Sequence, residues 1–266
     1  MPVLTSTTNR HIRAVSALIK KRAEREKENA FVIEGLRMLR EAPAERMCEL
    51  YVTEAFYAAL SPEDRRRIDA LACERFTVTE EVMRRLSDTV HPQGVLGVVS
   101  MKKCDPAGLF DAGKAVPLLL VLENLQDPGN LGTILRAGEG AGVTGVLLAG
   151  DTADPYNPKV VRGTMGAIFR VPFLRFADIG EAAVLLKKRG IRTYAADLSG
   201  TKNYDACDYR DAVAFFIGNE GAGLSEEARR VADERILIPM AGAVESLNAG
   251  IAAAVLTFEA ARQRRG

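Results

Sequence analysis

Leu118-Leu-Leu-Val-Leu122 is an uninterrupted apolar run. A sheet with one wet face alternates apolar and polar residues, so this run predicts a strand covered on both sides. Further strand-like segments follow at 146–148, 168–173, 193–196, 213–217 and 236–238. Stretches with helical spacing separate them, at 131–141, 159–167, 181–189 and 225–232, and an alanine-rich stretch follows the last strand. Regular alternation of strand and helix predicts an α/β fold with a parallel sheet packed on both faces.

The first hundred residues have a different texture. Residues 10–28 predict one basic amphipathic helix with Ile12, Val15, Leu18 and Ile19 on its apolar side. Short strands are predicted at 31–33, 49–53, 76–78 and 95–100, with helices at 36–41, 62–73 and 80–86. These form a small α/β domain over 1–101, of ordinary size. Residues 102–116 contain Pro106, Gly108 and Gly113 and read as a linker. The parallel-sheet domain is then 117–266.

Charge and side-chain inventory narrow the chemistry. The net charge is +1, so no global field draws the chain to nucleic acid or a membrane. Basic residues do cluster in 10–27 and again at Arg262, Arg264 and Arg265, where they form either phosphate-binding patches or solvated helix faces. The four cysteines form no C-x-x-C pair, which disfavours a zinc site or disulfide framework and fits a reducing cytoplasm. No signal-peptide run or membrane-spanning stretch is expected. The two histidines, His11 and His91, sit in no H-E-x-x-H pair or triad pattern, so no metal is expected.

Three strand-to-helix loops of the second domain carry polar residues, at the place where parallel sheets bind ligands. In 123–136, Gly129 and Gly132 permit close backbone approach, and Arg136 is either a phosphate or carboxylate binder or a solvated ion pair. In 216–227, Gly218, Gly221 and Gly223 bracket Glu220, and Ser225 is placed to cap a helix. In 235–256, Glu245, Ser246 and Asn248 precede the alanine-rich helix as caps or as ligand contacts. Asp151, about twenty residues after the first glycine turn, keeps a nucleotide-dependent oxidoreductase open as a rival, although the glycines do not make G-x-G-x-x-G.

Taken together and in order, three motifs resemble the signatures of the SPOUT-superfamily RNA ribose 2′-O-methyltransferases of the TrmH/SpoU type. They are Asn130-Leu-Gly-Thr-Ile-Leu-Arg136, Ile217-Gly-Asn-Glu-Gly-Ala-Gly223 and Ile238-Pro-Met-Ala-Gly-Ala-Val-Glu-Ser-Leu-Asn248. Phe31-Val-Ile-Glu-Gly35 and Gln93-Gly-Val-Leu-Gly97 resemble that family's small, ribosomal-protein-like substrate-binding domain. Ala249-Gly250 departs from the bulkier or hydroxyl residues usual after the third motif.

The resemblance implies a trefoil knot in the second domain, against the general rule that chains avoid knots. It also implies S-adenosylmethionine as methyl donor, and a homodimer whose active sites draw on both subunits. Carried over by residue, Arg136, Asn130, Glu220, Ser246 and Asn248 would be catalytic. Leu198, Gly218, Glu220, Ile238, Met240 and Leu247 would line the donor pocket. Arg10, Lys20, Arg22 and Arg37 are the expected RNA contacts of the first domain. The implied reaction is methylation of a ribose 2′-hydroxyl, with ribosomal RNA favoured over transfer RNA. Arg136 would either lose its proton and act as base, or hold a phosphate and stabilise alkoxide charge. An RNA-binding module without catalysis is the non-enzymatic rival.

Overall fold

The computed structural model describes residues 1–87, 89–102, 104, 109–110 and 115–266. Most of the expected linker, including Pro106, Gly108 and Gly113, lies outside the described residues. The chain groups into two compact units, Met1–Lys103 with Tyr156–Phe169, and Cys104–Pro155 with Arg170–Gly266.

The first unit contains β1 (Val3–Leu4), α1 (Arg10–Lys20), α2 (Arg22–Glu28), β2 (Ala30–Glu34), α3 (Leu36–Glu41), β3 (Met47–Thr53), α4 (Glu54–Ala59), α5 (Pro62–Asp69), β4 (Glu74–Val78), α6 (Glu80–Leu86) and β5 (Val95–Ser100). Its mixed sheet runs β1-β4-β3-β5-β2, with β5 antiparallel to both neighbours. Ile12, Val15 and Leu18 of α1 are buried against that sheet with Val82, Met83 and Leu86. The single helix expected over 10–28 is two. Lys21 is extended, with φ −123°, and the buried Arg25 donates to the carbonyls of Leu18 and Ile19. That guanidinium supplies donors to two carbonyls at the end of α1 that the break would otherwise leave without a helical partner. The helix expected over 62–73 stops at Asp69.

Beyond β5 come β6 (Leu118–Glu123), α7 (Pro128–Ala141), β7 (Gly145–Ala149), α8 (Pro158–Thr164), β8 (Phe173–Phe176), α9 (Ile179–Lys188), β9 (Arg192–Ala196), β10 (Lys202–Asn203), β11 (Val213–Ile217), α10 (Glu226–Val231), β12 (Glu234–Leu237) and α11 (Ala249–Arg264). Helix α8 belongs to the first unit and packs on β2. The strand expected over 168–173 is instead a 3-10 turn, Ala167–Phe169, with β8 starting only at Phe173. Met165 at φ +51° and Gly166 at φ +102° end α8 in left-handed conformations.

The other eleven elements build the second unit. Its seven-stranded sheet runs β10-β12-β9-β11-β6-β7-β8, and every pair is parallel. Leu118 to Leu122 are at most 1% exposed, as the apolar run requires. Because all strands point one way, the loops after β6, β9, β11 and β12 open on the same edge of the sheet. Helix α11 packs against α7.

Arg264 closes the last turn of α11. It donates to the carbonyls of Tyr209 at 2.9 Å, Val116 at 2.7 Å, Pro117 at 2.9 Å and Asp211 at 2.6 Å. Arg262 pairs with Glu259. Two of the three arginines in the expected C-terminal basic patch are therefore engaged within the chain. Arg264→Ala leaves those carbonyls without their charged donor and should lower stability by about 2–4 kcal/mol. Urea unfolding followed by circular dichroism checks this; a change under about 0.5 kcal/mol would show the clamp to be idle.

Candidate active site

The loops at the carboxyl edge of the second sheet are stitched together by carboxylates. At the end of β6, Glu123 is 5% exposed, and its carboxylate accepts from Ser225 N at 2.8 Å and Ser225 Oγ at 2.7 Å. Ser225 also caps α10, accepting from the Ala228 N–H. One step outward, Asn124 sits at φ +50°. Its Oδ1 accepts from Asp151 N, and its carbonyl accepts from Asn219 Nδ2. Asp151 is thus part of loop packing one turn beyond β7.

Glu220 makes the outermost stitch. Its Oε1 accepts from Asp127 N at 3.1 Å and Asn130 Nδ2 at 2.9 Å, and its Oε2 accepts from Gln126 N at 3.3 Å. Burial pushes the Glu220 carboxyl up. The Asn130 amide and the N–H groups of Glu220, Asp127 and Gln126 outweigh that and hold it below its usual 4.5. The stitch is therefore in place above the ordinary glutamate pKa and is lost as the pH falls through the depressed value.

Asn130 lies in the first turn of α7 and is 7% exposed. The helix begins at Pro128, three residues earlier than the sequence suggests, because Asp127 caps it by accepting from Gly129 N at 2.7 Å. Asn130 Oδ1 accepts from Asn248 Nδ2 at 2.8 Å, while Asn248 Oδ1 caps α11 by accepting from the N–H groups of Gly250 and Ile251. Glu220, Asn130 and Asn248 thus form one chain of hydrogen bonds across three loops. Asn248 is a helix cap and a member of that chain at once.

The glycines around Glu220 have a reason inside the turn itself. Asn219 and Gly223 exchange backbone hydrogen bonds at 3.1 and 3.0 Å. A Cβ on Gly218 would stand 2.3 Å from the Gly223 carbonyl carbon, and Gly223 has φ +69°. Only glycine fits the first position, and the left-handed backbone of the second favours it.

Beside these loops lies a cavity of about 550 Å³, within the size range of small-molecule sites. Leu198, Gly218, Glu220, Ile238, Met240, Leu247 and Ser246 all line it. Ile217, Leu224, Ala249 and Ala252 add apolar surface. Among the described residues, the N–H groups of Leu198, Met240 and Leu247 donate to no group of the chain. Aliphatic walls with unengaged backbone donors suit an adenosine-bearing ligand. The cavity also has charged lining that the sequence reading missed: Asp197, Glu226, Arg229 and Arg235. Asp197 follows β9 and Arg229 lies on α10, so the two carry no mutual spacing signal.

Arg136 stands apart from this group. It lies two turns into α7, its side chain is exposed, and among the described residues it has no ion-pair or hydrogen-bond partner. Asn130 and Arg136 are six residues apart on one helix, so they point about 120° away from each other.

In the first unit, Arg10, Lys20, Arg22 and Arg37 are all exposed. Arg10 and Lys20 are the end residues of α1, and Arg37 lies in the first turn of α3. Arg22 is ion-paired with Glu26 at 2.7 Å. Gly35, at φ +92°, and the Gln93 loop meet where Gln93 Oε1 accepts from Leu36 N. The two short stretches that carry the N-terminal resemblance are therefore neighbours in space.

Comparison with known proteins agrees with both units. Residues 117–258 match the SpoU rRNA Methylase family, and residues 9–97 match the MRM3-like substrate binding domain. A 23S rRNA (uridine(2479)-2′-O)-methyltransferase of Streptomyces viridochromogenes is 30% identical over 97% of this chain and 92% of its own. A 23S rRNA (guanosine(2553)-2′-O)-methyltransferase of Bacillus subtilis is 29% identical over 97% of this chain and 98% of its own. The crystal structure of the SpoU methyltransferase AviRb from Streptomyces viridochromogenes, in complex with AdoMet, superposes with a TM-score of 0.87 at 28% identity, covering 97% of this chain and 99% of that one. None of these relatives is an oxidoreductase. The chain belongs to the SpoU rRNA methylase family, with an MRM3-like substrate-binding domain ahead of its methylase domain.

Proposed function

We propose that this protein is an RNA 2′-O-ribose methyltransferase that uses S-adenosylmethionine and acts on ribosomal RNA. The observation that carries the reading is the hydrogen-bonded chain Glu220–Asn130–Asn248 standing beside a cavity lined by Gly218, Ile238, Met240 and Leu247. The sulfonium donor supplies an activated methyl group. What the chain must supply is alignment, because an in-line displacement needs the ribose oxygen, the methyl carbon and the sulfur on one axis. Glu220 spends its acceptors on fixing the loop that carries Asn130, so it acts as an anchor for the target side rather than as a free base. Ser246 and Asn248 follow β12 on the same edge and place the third loop against the first.

Residues 1–101 serve as the RNA-binding domain and 117–266 as the methyltransferase domain. Arg10, Lys20 and Arg37 are exposed cations suited to RNA phosphates, recognised by shape more than by sequence. The working form is a homodimer with a trefoil knot in each second domain. Arg136, exposed on its own chain, then reaches a target ribose held partly by the other copy. Ile251 and Phe258 of α11, at 49% and 46% exposure, supply apolar surface for that pairing. Among the described residues no helix is long and apolar enough to cross a membrane, and the site of action is the cytoplasm.

Incubating the protein with total RNA and donor labelled in the methyl group, then mapping the product, tests the reading. The expected product is one 2′-O-methylated nucleotide in large-subunit ribosomal RNA. Label in transfer RNA alone would move the assignment to that substrate, and no transfer to any RNA would sink it.

A further inference from the structure

Arg229 and Asp197 form an ion pair on the cavity wall that no step above uses. Arg229 Nε lies 2.8 Å from Asp197 Oδ2, and the two side chains are 27% and 7% exposed. Ser199 also fixes the carboxylate, its N–H donating to Oδ1 and its Oγ to Oδ2, each at 3.0 Å. Removing opposite charges from water is costly, and hydrophobic residues of similar volume often serve stability as well. The pair is also imperfect as a structural bond: Arg229 Nε is fully buried yet has no well-formed hydrogen bond.

The other nitrogens of the fork indicate its direction. Nη1 donates to Glu226 at 2.9 Å, but Glu226 is 93% exposed, so that contact is weak. Nη2 donates to no group among the described residues. It lies 3.9 Å from where a Cβ on Gly223 would stand, beside the turn that carries Glu220. Arg235, another cation of the lining, is exposed on its strand. The Glu220 carboxylate is already occupied by the 126–130 loop.

S-adenosylmethionine carries one anionic group, the carboxylate of its amino-acid end. An arginine held by one nitrogen, with another facing a cavity, matches that group as a charge-assisted donor. We infer that Arg229 is the receptor for the donor's carboxylate, and that Asp197 is the positioning residue that orients its fork. This inference rests on the methyltransferase reading above. It assigns the far end of the donor to the loop after β9 and to α10, which leaves the adenosine to the aliphatic walls.

Calorimetry with two probes tests it. S-adenosylhomocysteine keeps the carboxylate; 5′-methylthioadenosine keeps the adenosine and sulfur but lacks the amino-acid end. Arg229→Met should weaken S-adenosylhomocysteine by about 10- to 100-fold and change methylthioadenosine by less than about 2-fold. Arg229→Lys, which keeps the charge without the fork, should fall between. Equal weakening of both probes would make Arg229 a shaper of the cavity and overturn the assignment. Unchanged binding of both would overturn it as well. If the unaltered protein binds neither probe, the methyltransferase reading itself fails, an outcome separate from the other two. Thermal unfolding of each variant identifies any that fail to fold, and Arg229→Lys remains as the decisive variant in that case.

Discussion

Arg136→Ala abolishes methyl transfer, with a loss of at least about 10²- to 10³-fold, the size expected when one charge-stabilising donor is removed from a transition state. Donor affinity changes by less than about 3-fold, because Arg136 is not among the residues lining the cavity. The two effects separate for a structural reason. Helix α7 presents Asn130 toward the loops and Arg136 toward solvent, about 120° away. An exposed arginine with no partner among the described residues costs nothing in folding when removed, so the variant should unfold at the same temperature as the parent. Arg136→Lys should recover only a small part of the rate, since a lysine cannot present two parallel donors to a phosphate or a developing alkoxide. Single-turnover transfer to ribosomal RNA, paired with calorimetric binding of the donor, checks both halves. Parallel loss of transfer and donor affinity would refute the assigned role.

The two residue types at this edge of the sheet differed in how far the sequence exposed them. The strand pattern was legible because each buried strand of a parallel sheet must be apolar on both faces, and Leu118–Leu122 and Val213–Ile217 could hardly be anything else. The element ends were less so. Helix α7 starts at Pro128 because Asp127 caps it, and a cap, a proline at the first position and two glycines compete as local signals. The break at Lys21 was hidden because Arg25 satisfies the carbonyls of Leu18 and Ile19 from six and seven residues away in sequence, an arrangement that no periodicity reveals. The stretch 168–173 read as a strand because most of its residues are apolar, although Gly166 and Pro172 bracket its first part and argue otherwise.

In the site, motif residues were readable and their connections were not. Glu220, Asn130 and Asn248 could be named from three separated stretches, but the hydrogen bonds joining them span 90 and 118 residues. The clamp from Glu123 to Ser225 spans 102. Ser225 looked like a helix cap and is one, yet it also holds the buried Glu123 carboxylate through its N–H and hydroxyl. Asp197 and Arg229 were invisible for the same reason: an ion pair between the loop after one strand and the helix after another has no signature along the chain. Sequence spacing records what a helix or strand does locally, and the sheet order β9-β11-β6 decides which loops meet.

That dependence makes Asn130→Asp more damaging than Asn130→Ala. Alanine removes two hydrogen bonds and leaves Glu220 with its two backbone donors, at a cost of about 1–2 kcal/mol. Aspartate is nearly the same size and can still accept from Asn248. It turns an acceptor, however, toward Glu220 Oε1, where the Asn130 amide donates at 2.9 Å. Two carboxylates at such a distance repel by roughly 2–3 kcal/mol once solvent screening is allowed for, in addition to the lost hydrogen bond. The variant should therefore lose about 3–4 kcal/mol at neutral pH. The pH dependence then separates repulsion from simple loss of contact. A facing pair of carboxylates takes up a proton more readily than either alone, so its folded-state pKa is raised. The penalty is full above that raised value and shrinks as the pH falls through it, because a shared proton restores a donor between the two oxygens. Asn130→Ala has no such proton to take up, and its gap from the parent should narrow only where Glu220 itself is protonated, below 4.5. Urea unfolding of the parent and both variants at several pH values between 4.5 and 8 is the measurement. Equal penalties for alanine and aspartate, flat across that range, would mean that Glu220 is held by the Gln126 and Asp127 amides alone and that Asn130 is a passenger in the chain.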